Sequence, residues 1–466
     1  MKVIIKKVRN AATVLAILSL TTSCSSGKEV TNEAYLRIEG PTELSVSEGG
    51  TTQDYVVQSN GQWEIIRKSI QTWAEAKPAS GQNDGSFRIT VGENKSGANR
   101  SLSFSFMLDG NELQETISVV QEGNPDGDGD GDDDDDDDDD CDDCPLYTAK
   151  RIWNLGAHNA FTDLIEYGGK YFCVFREAGA HVPKKPEDDG KIRILVSTDG
   201  DTWESAALIA KTGYDFRDPK LSTTSDGRLM VLFGGAVYQD GQKLSHNDHV
   251  SFSQDNEAKS FTEPQPITFG AGLPSLGKWL WRVTWDKNTG YGVVYETGPG
   301  VSYSASNIYL VATSDGIHYT LVDKLAVSGR PNESTVELLK DGRMRIIVRN
   351  EDKKGYLGYS GNSYTDWKWS DLGIQLGGPD IITLPNGKTV IGSRSFRDGG
   401  TYTSLFELDN NTGKVRELLE LPSGGDTSYT GFIVVGNELW VSYYSEHEGK
   451  TSIYFAKVRY KKLFNQ

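Results

Sequence analysis

The chain of 466 residues carries a formal net charge of −18 at pH 7. Most of this charge comes from the aspartate run between Asp126 and Asp143, so the rest of the chain is only mildly acidic. Because the sequence contains neither a basic patch nor basic residues interleaved with aromatic ones, we expect no nucleic acid as a partner.

Residues 1–24 predict a secretory signal. Four basic residues come first, and the apolar run that follows, Ala11 to Leu20, is too short to span a membrane. Cys24 comes directly after small residues, which resembles the cleavage site of Bacteroidetes-type lipoproteins, where this cysteine carries lipid. An ordinary signal peptide with an incidental cysteine is the alternative. The resemblance implies a cell-envelope protein whose N-terminal lipid, its only membrane contact, anchors it to the periplasmic or cell-surface face of the outer membrane.

Residues 35–122 predict a small β-sandwich, because short alternating strands such as LRIEG, DYVVQSN and FRITVGEN are separated by Gly and Asn turns. The order of SNGQWEI, a segment around Trp73, PASGQNDGSFRITVGENKSGANR and a final ISVVQ resembles the Ig-like BACON domain of bacterial surface proteins. Trp63 and Trp73 are assigned to core packing, and a sugar-binding platform is the alternative.

Residues 123–144 predict an extended acidic linker, because a run of aspartates repels itself and buries no apolar surface. Calcium binding is the alternative, but the spacing and closing Glu of an EF-hand are absent. Cys141 and Cys144 end the run, and in an exported protein they predict a local disulfide.

Residues 145–466 contain six strand–turn–strand repeats, which begin at Ala160, Phe216, Trp281, Pro331, Gly377 and Ser428. Their spacing of roughly 45 to 65 residues is typical of four-stranded propeller blades. The sixth blade lacks an outer strand, which LYTAKRIWNL before the first repeat can supply, so the ring closes. The sequence thus predicts an all-β protein, in which the N-terminal sandwich and the acidic linker precede a six-bladed β-propeller. Cys173 lies in an apolar strand and is expected to be buried.

The segment from Ser197 to Trp203 matches the S-x-D-G-x-x-W pattern of an Asp-box (BNR) hairpin. A second segment, with Ser314, Asp315, Gly316 and Tyr319, matches the pattern only in part. Asp and Gly fill the turn, and the aromatic side chain packs beneath it. We interpret both as structural features of the blade rim.

Strand one of each blade starts, and strand two ends, at the same face beside the propeller axis. Polar and aromatic residues at these positions predict one shared pocket. The candidates are His158, Asn159, Asp163, Arg176 and His181 in the first blade, Arg217 and Asp218 in the second, Trp281 and Arg282 in the third, Glu333 and Arg349 in the fourth, Arg394 in the fifth, and Tyr429 and His447 in the sixth.

The propeller region resembles the sialidase superfamily of hydrolases. NESTVELLKDGRMRIIVR matches the segment that places Glu333 at the family's catalytic Glu and Arg349 at a substrate-binding Arg. SYTG places Tyr429 at the nucleophilic Tyr, and PEDDGKIRILVSTDG places Asp188 or Asp189 at the general acid/base. The resemblance implies a monomeric exo-type glycoside hydrolase that acts on a glycan, with an acidic sugar as one option and with no cofactor or metal.

The sequence departs from this family at the start of the first blade. Sialidases have Arg-Ile-Pro there, whereas this chain has His158 to Phe161, so the first of three carboxylate-binding arginines is missing. This argues against sialic acid as substrate. Two alternatives remain open, a non-catalytic glycan-binding protein and a polysaccharide lyase that uses His or Tyr as the base, and the second is favoured by His158, His181 and His447. A metal at these histidines is a weaker option because no tight ligand spacing is present.

Overall fold

A computed structural model of the chain describes residues 14–17, 34–67, 73–94, 100–109, 111–123, 144–274, 277–297, 306–352 and 354–464. The chain divides into two compact units, Met1–Asp142 and Asp143–Gln466. Cys24, Cys141 and the aspartate run lie outside the described residues, so the lipid anchor, the local disulfide and the acidic linker stay predictions. None of the helices in the described ranges is long and apolar enough to cross a membrane.

The first unit contains two five-stranded sheets, ordered β1-β2-β4-β8-β6 and β3-β10-β9-β5-β7. Their strands are β1 (Val14–Ile17), β2 (Tyr35–Glu39), β3 (Glu43–Val46), β4 (Thr51–Ser59), β5 (Gln62–Arg67), β6 (Ala74–Lys77), β7 (Ser80–Gln82), β8 (Gly85–Val91), β9 (Arg100–Leu108) and β10 (Asn111–Gln121).

Alternate side chains of both sheets point into one apolar core, as the period-two pattern of the sequence predicts. Tyr55 and Phe87 stack there with ring centroids 4.9 Å apart, and Trp63 is buried beside them. The expectation that Trp63 packs in the core is confirmed. The assignment of this unit to a BACON-type sandwich stays a prediction.

The second unit is a six-bladed β-propeller. Each repeat forms an antiparallel sheet whose strands run outward in chain order. Blade one consists of β12 (His158–Tyr167), β13 (Lys170–Ala178), β14 (Lys191–Ser197) and β15 (Glu204–Ile209). Blade two consists of β16 (Asp215–Thr223), β17 (Leu229–Gln239), β18 (Gln242–Phe252) and β19 (Gln265–Pro266). Blade three consists of β21 (Lys278–Asp286), β22 (Thr289–Glu296), β23 (Ile308–Thr313) and β24 (His318–Leu325), with β20 (Thr268–Phe269) parallel to β24.

Blade four consists of β25 (Pro331–Leu338), β26 (Met344–Asn350), β27 (Lys354–Ser360) and β28 (Lys368–Asp371). Blade five consists of β29 (Asp380–Thr383), β30 (Thr389–Arg397), β31 (Gly400–Leu408) and β32 (Val415–Leu421). Blade six consists of β33 (Thr427–Val435), β34 (Glu438–Ser445), β35 (Ser452–Arg459) and β11 (Tyr147–Trp153). A short helix, α1 (Tyr460–Leu463), follows β35, and a 3₁₀ turn, Pro186–Asp188, lies between β13 and β14.

The inner strands contact one another in chain order around the ring, and the last one, β33, packs against the first, β12. The predicted closure is confirmed, because β11 pairs antiparallel with β35 as the outermost strand of blade six. Cys173 is fully buried, as expected.

A shared irregularity of the inner strands positions the candidate site. In blades one, two, three, four and six, two residues near the start of strand one lie opposite a single residue of strand two, so the pairing register slips by one. The residues in these bulges are Phe161 and Thr162, Asp218 and Pro219, Trp281 and Arg282, Asn332 and Glu333, and Tyr429 and Thr430. A bulge re-aims the side chains it carries. Five of the predicted site residues therefore lie in these bulges, namely Asp218, Trp281, Arg282, Glu333 and Tyr429.

Candidate active site

Tyr429, Glu333 and Arg349 form a hydrogen-bonded group that joins blades four and six. The Tyr429 hydroxyl donates to Glu333 Oε1 over 2.7 Å. Arg349 Nη1 lies 2.8 Å from Glu333 Oε2 and 3.2 Å from the Tyr429 oxygen. The Gly378 N–H also donates to Oε2, over 2.8 Å, so both carboxylate oxygens of Glu333 are fixed.

The surroundings of this group raise the pKa of Tyr429 and lower that of Glu333. Burial raises the pKa of Tyr429 well above its usual value, and the negative charge of Glu333 raises it further. Burial also disfavours ionisation of Glu333, but Arg349, the Tyr429 hydroxyl and the Gly378 N–H together hold its pKa below the usual value. Glu333 is therefore a carboxylate at neutral pH, and it is placed to accept the phenolic proton when Tyr429 attacks an electrophile.

The backbone at Tyr429 is strained. Tyr429 has φ 56° and the preceding Ser428 has φ 98°, a region that residues other than glycine rarely adopt. Each such residue costs on the order of 1–3 kcal/mol and persists only where the surrounding structure imposes it. Phe161 and Asp218 sit at the equivalent bulge of their blades with φ 63° and 50°. The strain is thus shared by the bulges of blades one, two and six, and in blade six it occurs at the residue whose hydroxyl bonds Glu333.

Arg394 is the second guanidinium beside Tyr429. It lies over the Tyr429 ring, 5.6 Å from the centroid. Its Nε donates to the Thr427 carbonyl over 2.9 Å, and its Nη2 bonds the Tyr444 hydroxyl at 3.0 Å and Asp426 Oδ1 at 3.3 Å. Tyr429 thus lies beside two arginines: Arg349, which the resemblance assigns to the substrate, and Arg394, which the blade geometry predicts for the same pocket.

Phe161 lies beside Tyr429 on the first blade. It belongs to the segment in which sialidases have the carboxylate-binding arginine that this chain lacks. Its ring centroid is 5.1 Å from that of Tyr429 and 5.4 Å from that of Tyr444, both edge-on. The first blade therefore presents an apolar ring to Tyr429 instead of a cation.

His158, His181 and Asp426 form a second polar cluster, and both histidine rings pack against Phe161. Asp426 Oδ2 lies 3.0 Å from His181 Nδ1 and 3.3 Å from His158 Nε2. The other oxygen, Oδ1, accepts from the Tyr444 hydroxyl over 2.7 Å. His158 is buried, and burial lowers its pKa so that the imidazole is neutral at pH 7. The His181 side chain is 50% exposed.

Arg176 and Arg217 share one buried carboxylate between blades one and two. Asp215 Oδ1 lies 2.5 Å from Arg176 Nη2, and Oδ2 lies 2.7 Å from Arg217 Nε. Arg176 is fully buried, and its Nη1 bonds the Ala180 carbonyl at 2.9 Å and His158 Nδ1 at 3.4 Å. These two predicted substrate-binding residues therefore already have partners inside the protein.

Asp188 and Asp189 lie on the first-blade loop between β13 and β14, but in different environments. Both side chains are half-buried, and Asp188 Oδ2 accepts the Lys184 N–H over 3.1 Å. Asp189 is half-buried, and burial followed by the negative charge of Asp215 raises its pKa. Of the two, Asp189 has the character of a proton donor.

Asp218 is a buried carboxyl in the second-blade bulge. Burial raises its pKa to about 6, against the opposing effect of Arg217, and the negative charge of Glu333 adds to the rise. This side chain therefore takes up a proton much more readily than an exposed aspartate.

Asp163, Arg282 and Asp380 form a buried ionic group on the inner strands. Arg282 Nη1 lies 2.9 Å from Asp163 Oδ1, and its Nη2 lies 3.2 Å from Asp380 Oδ2. Asp163 also accepts the Leu221 N–H over 2.7 Å, which ties blade one to blade two. Each charge has an internal partner, so the substrate contact of Asp163 and Arg282 stays a prediction.

Of three further predicted residues, Trp281 packs in the site, whereas Asn159 and His447 have their contacts elsewhere. Asn159 is fully buried and bonds the backbone of Gly156 and Thr451. Trp281 packs against Tyr429 at 5.6 Å. His447 bonds Ser445 Oγ at 2.9 Å and packs on the Tyr454 ring, so it does not join the cluster of His158, His181 and Asp426.

Sequence reasoning missed four residues that organise the site, namely Asp215, Glu351, Asp426 and Tyr444. Asp215 opens its inner strand, and Asp426 immediately precedes one. A strand start set one or two residues earlier in blades two and six would have included both. Glu351 pairs with Arg349 Nη2 at 2.9 Å and lies two residues beyond it in the chain.

No protein-family model matches the chain. No curated protein matches it either. Solved structures with a similar fold include a protein of unknown function from Dyadobacter fermentans, which aligns over 68% of this chain and 100% of its own, with 19% identity and a TM-score of 0.57.

Two further similar structures are glycosidases. Trypanosoma rangeli sialidase with 2,3-difluorosialic acid, a covalent intermediate, aligns over 69% of this chain and 60% of its own, with 12% identity and a TM-score of 0.52. A mutant α-L-arabinofuranosidase of Fusarium graminearum with an iminosugar inhibitor aligns over 68% of this chain and 99% of its own, with 14% identity and a TM-score of 0.52. These likenesses confirm the sialidase-like propeller fold that the repeats predict.

Proposed function

We propose that the chain is a glycoside hydrolase in which Tyr429 is the nucleophile and Glu333 is its base. The observation that carries the proposal is the 2.7 Å hydrogen bond from the Tyr429 hydroxyl to Glu333 Oε1, with Arg349 in contact with both. A neutral phenol is a poor nucleophile, and an adjacent carboxylate that accepts its proton activates it.

The reaction has two balanced steps. In the first, the Tyr429 oxygen bonds the anomeric carbon, its proton moves to Glu333, and the glycosidic C–O bond breaks with its electron pair on the leaving oxygen, which a donor on the first-blade loop protonates. In the second, water displaces Tyr429, the first-blade group takes a proton from that water, and Glu333 returns its proton to Tyr429. The resemblance assigns the first-blade donor to Asp188 or Asp189.

The structural neighbours support this class of reaction. The sialidase neighbour is described as a covalent intermediate, and the arabinofuranosidase neighbour binds an iminosugar inhibitor. Both proteins are glycosidases on the propeller fold that this chain shares. The covalent intermediate agrees with a nucleophilic role for a residue of the inner strands.

The charges beside Tyr429 favour an uncharged terminal sugar over an acidic one. Arg349 is paired with Glu333 and Glu351, and Arg394 with Asp426. A substrate carboxylate would have to compete with these anions, and the first blade offers Phe161 in place of a further cation. Tyr429 and Glu333 are each only 7% exposed, which suits a chain end entering the site and thus exo-type action.

The test is a panel of activated aryl glycosides, pentofuranosides included, with product analysis by mass. We expect Glu333→Gln to lower kcat by ~10²–10⁴-fold and Tyr429→Phe to abolish turnover. A 2-fluoro glycoside should leave a covalent adduct on Tyr429 in the wild type. Tyr443→Phe is the matched control, since this buried tyrosine of the same blade donates to the Pro422 carbonyl away from the site. Full activity of Tyr429→Phe would overturn the proposal.

A polysaccharide lyase is the second candidate, and the pairing of His181 with Asp426 favours it because an Asp-oriented imidazole is a suitable base. A lyase product contains an unsaturated uronate that absorbs in the ultraviolet, whereas hydrolysis leaves absorbance unchanged. A glycan-binding protein without activity would bind sugars and release no product.

We further propose that the protein is exported and anchored through a lipid on Cys24. This proposal is supported by the residue pattern of the first 24 positions alone.

A further inference from the structure

The first-blade loop between β13 and β14 carries His181 together with the two candidate acids Asp188 and Asp189. They differ in their connection to Tyr429. The His181 ring packs edge-on against Phe161 with centroids 5.7 Å apart, and Phe161 in turn packs against Tyr429. Asp188 accepts a hydrogen bond from the Lys184 N–H. The charges that act on the pKa of Asp189 are those of Asp215, which raises it, and Arg176, which lowers it. The contacts that lead from the nucleophile to this loop thus end at His181.

The hydrogen bonds around Asp426 fix which nitrogen of each histidine carries its proton. A guanidinium only donates, so Arg176 Nη1 makes His158 Nδ1 an acceptor, and the proton of neutral His158 must be on Nε2. That N–H points at Asp426 Oδ2. His181 Nδ1 donates to the same oxygen, which leaves His181 Nε2 directed away from the carboxylate. This nitrogen has no hydrogen-bond partner among the described residues.

Hydrogen bonds hold the Asp426 carboxylate in the orientation that faces His158 and His181. The Tyr444 hydroxyl and Arg394 bind Oδ1, so Oδ2 faces the two imidazoles. Burial disfavours its charge, but hydrogen bonds from His158, His181 and Tyr444 lower the pKa of Asp426 well below the usual range. It is therefore a carboxylate at all physiological pH values, and through Nδ1 it fixes the orientation and the tautomer of the His181 ring.

The same three side chains have nitrogen and oxygen atoms within 4.8 Å of one another, close enough to surround a metal ion. Two features oppose a cation. Both histidine nitrogens that face Asp426 carry protons in the arrangement above, and the guanidinium groups of Arg176 and Arg394 add positive charge next to the cluster. Histidines that bind a metal instead direct their second N–H to an acceptor.

We infer that His181, oriented by Asp426, is the proton donor to the leaving group, in place of Asp188 or Asp189. The inference rests on the proposed glycosidase function. The Nε2 proton of the His181 imidazolium moves to the glycosidic oxygen as the C–O bond breaks, and neutral His181 then takes a proton from the attacking water. Tyr429 and His181 both pack against Phe161, so the proposed nucleophile and the proposed donor lie beside one side chain.

The activity test compares a glycan with a poor leaving group and an aryl glycoside with a good one, which needs no proton. We expect His181→Ala and Asp426→Asn each to lower kcat on the poor leaving group by ~10²–10⁴-fold, while the activated substrate is turned over almost normally. Added imidazole should restore part of the activity of His181→Ala. His318→Ala is the matched control, because His318 is an exposed histidine paired with Asp315 on the blade rim. The same leaving-group pattern in Asp189→Asn but not in His181→Ala would overturn the inference.

A second measurement does not depend on turnover. In ¹⁵N NMR spectra of the whole chain, neutral His181 should carry its proton on Nδ1, and Asp426→Asn should shift this tautomer while leaving His318 unchanged. A His181 tautomer with the proton on Nε2, or signals that move on adding Zn²⁺, would contradict the arrangement. If no glycan is cleaved but the tautomer is as stated, the glycosidase proposal fails while the histidine pair stands.

Discussion

Phe161 and Tyr429 meet edge-on with ring centroids 5.1 Å apart, each in the bulge of its inner strand. The pairing puts an apolar ring where a carboxylate-binding arginine is implied by the resemblance of the sequence to sialidases. Phe161 has φ 63°, so any replacement other than glycine meets about the same backbone strain.

We predict that Phe161→Arg creates affinity for an acidic sugar and lowers turnover of an uncharged one. A charge-assisted hydrogen bond contributes about 1.5–3 kcal/mol, so binding of free sialic acid should tighten by roughly 10- to 100-fold. Isothermal titration calorimetry measures the affinity. Phe161→Leu is the control, since it removes the ring without adding charge. Equal sialic acid binding by the two variants would show that Phe161 does not face the sugar.

The sequence predicted the propeller well because its signals are local. Strand alternation and the D-G or N-G turns are short-range properties. The pairing of LYTAKRIWNL with blade six follows from counting strands, because the sixth blade is one strand short. The approach of Glu333, Arg349 and Tyr429 also follows from the blade geometry, since the ends of inner strands converge.

The details that the sequence did not predict depend on register. Asp215 and Asp426 were missed because the predicted repeats begin at Phe216 and Ser428, just after them. The bulges at Phe161, Asp218 and Tyr429 were missed because a one-residue slip in pairing register leaves no pattern in the amino-acid sequence. His447 was placed with the other histidines, but it follows strand two in a loop, where no register constrains its direction.

We predict that Cys24→Ala abolishes lipid attachment. If Cys24 is the modified residue, labelled fatty acid should be incorporated into the wild type and not into the variant, and the variant should leave the membrane fraction. Cys173→Ala is the control because Cys173 is fully buried in blade one. Labelling that persists in Cys24→Ala would mean that another residue carries the lipid, and a wild type without label would mean an ordinary signal peptide.

Asp218 makes stability depend on pH. Its pKa is raised from 3.8 to about 6, chiefly by burial. A carboxyl whose pKa is higher in the folded state stabilises the fold when protonated, so its contribution is fully present below about pH 4 and is lost as the pH rises through about 6. The full loss is at most about 3 kcal/mol.

Asp218→Asn should therefore leave Tm nearly unchanged at pH 4 and raise it by a few °C at pH 8, because asparagine carries no charge that must be buried. Differential scanning calorimetry of the whole chain at the two pH values measures this. Asp163→Asn is the matched control, since this equally buried carboxylate is paired with Arg282 and its loss should lower Tm at both pH values. If Asp218→Asn also lowered Tm at pH 8, the Asp218 carboxylate would have to be stabilised by its neighbours, and the raised pKa would be wrong.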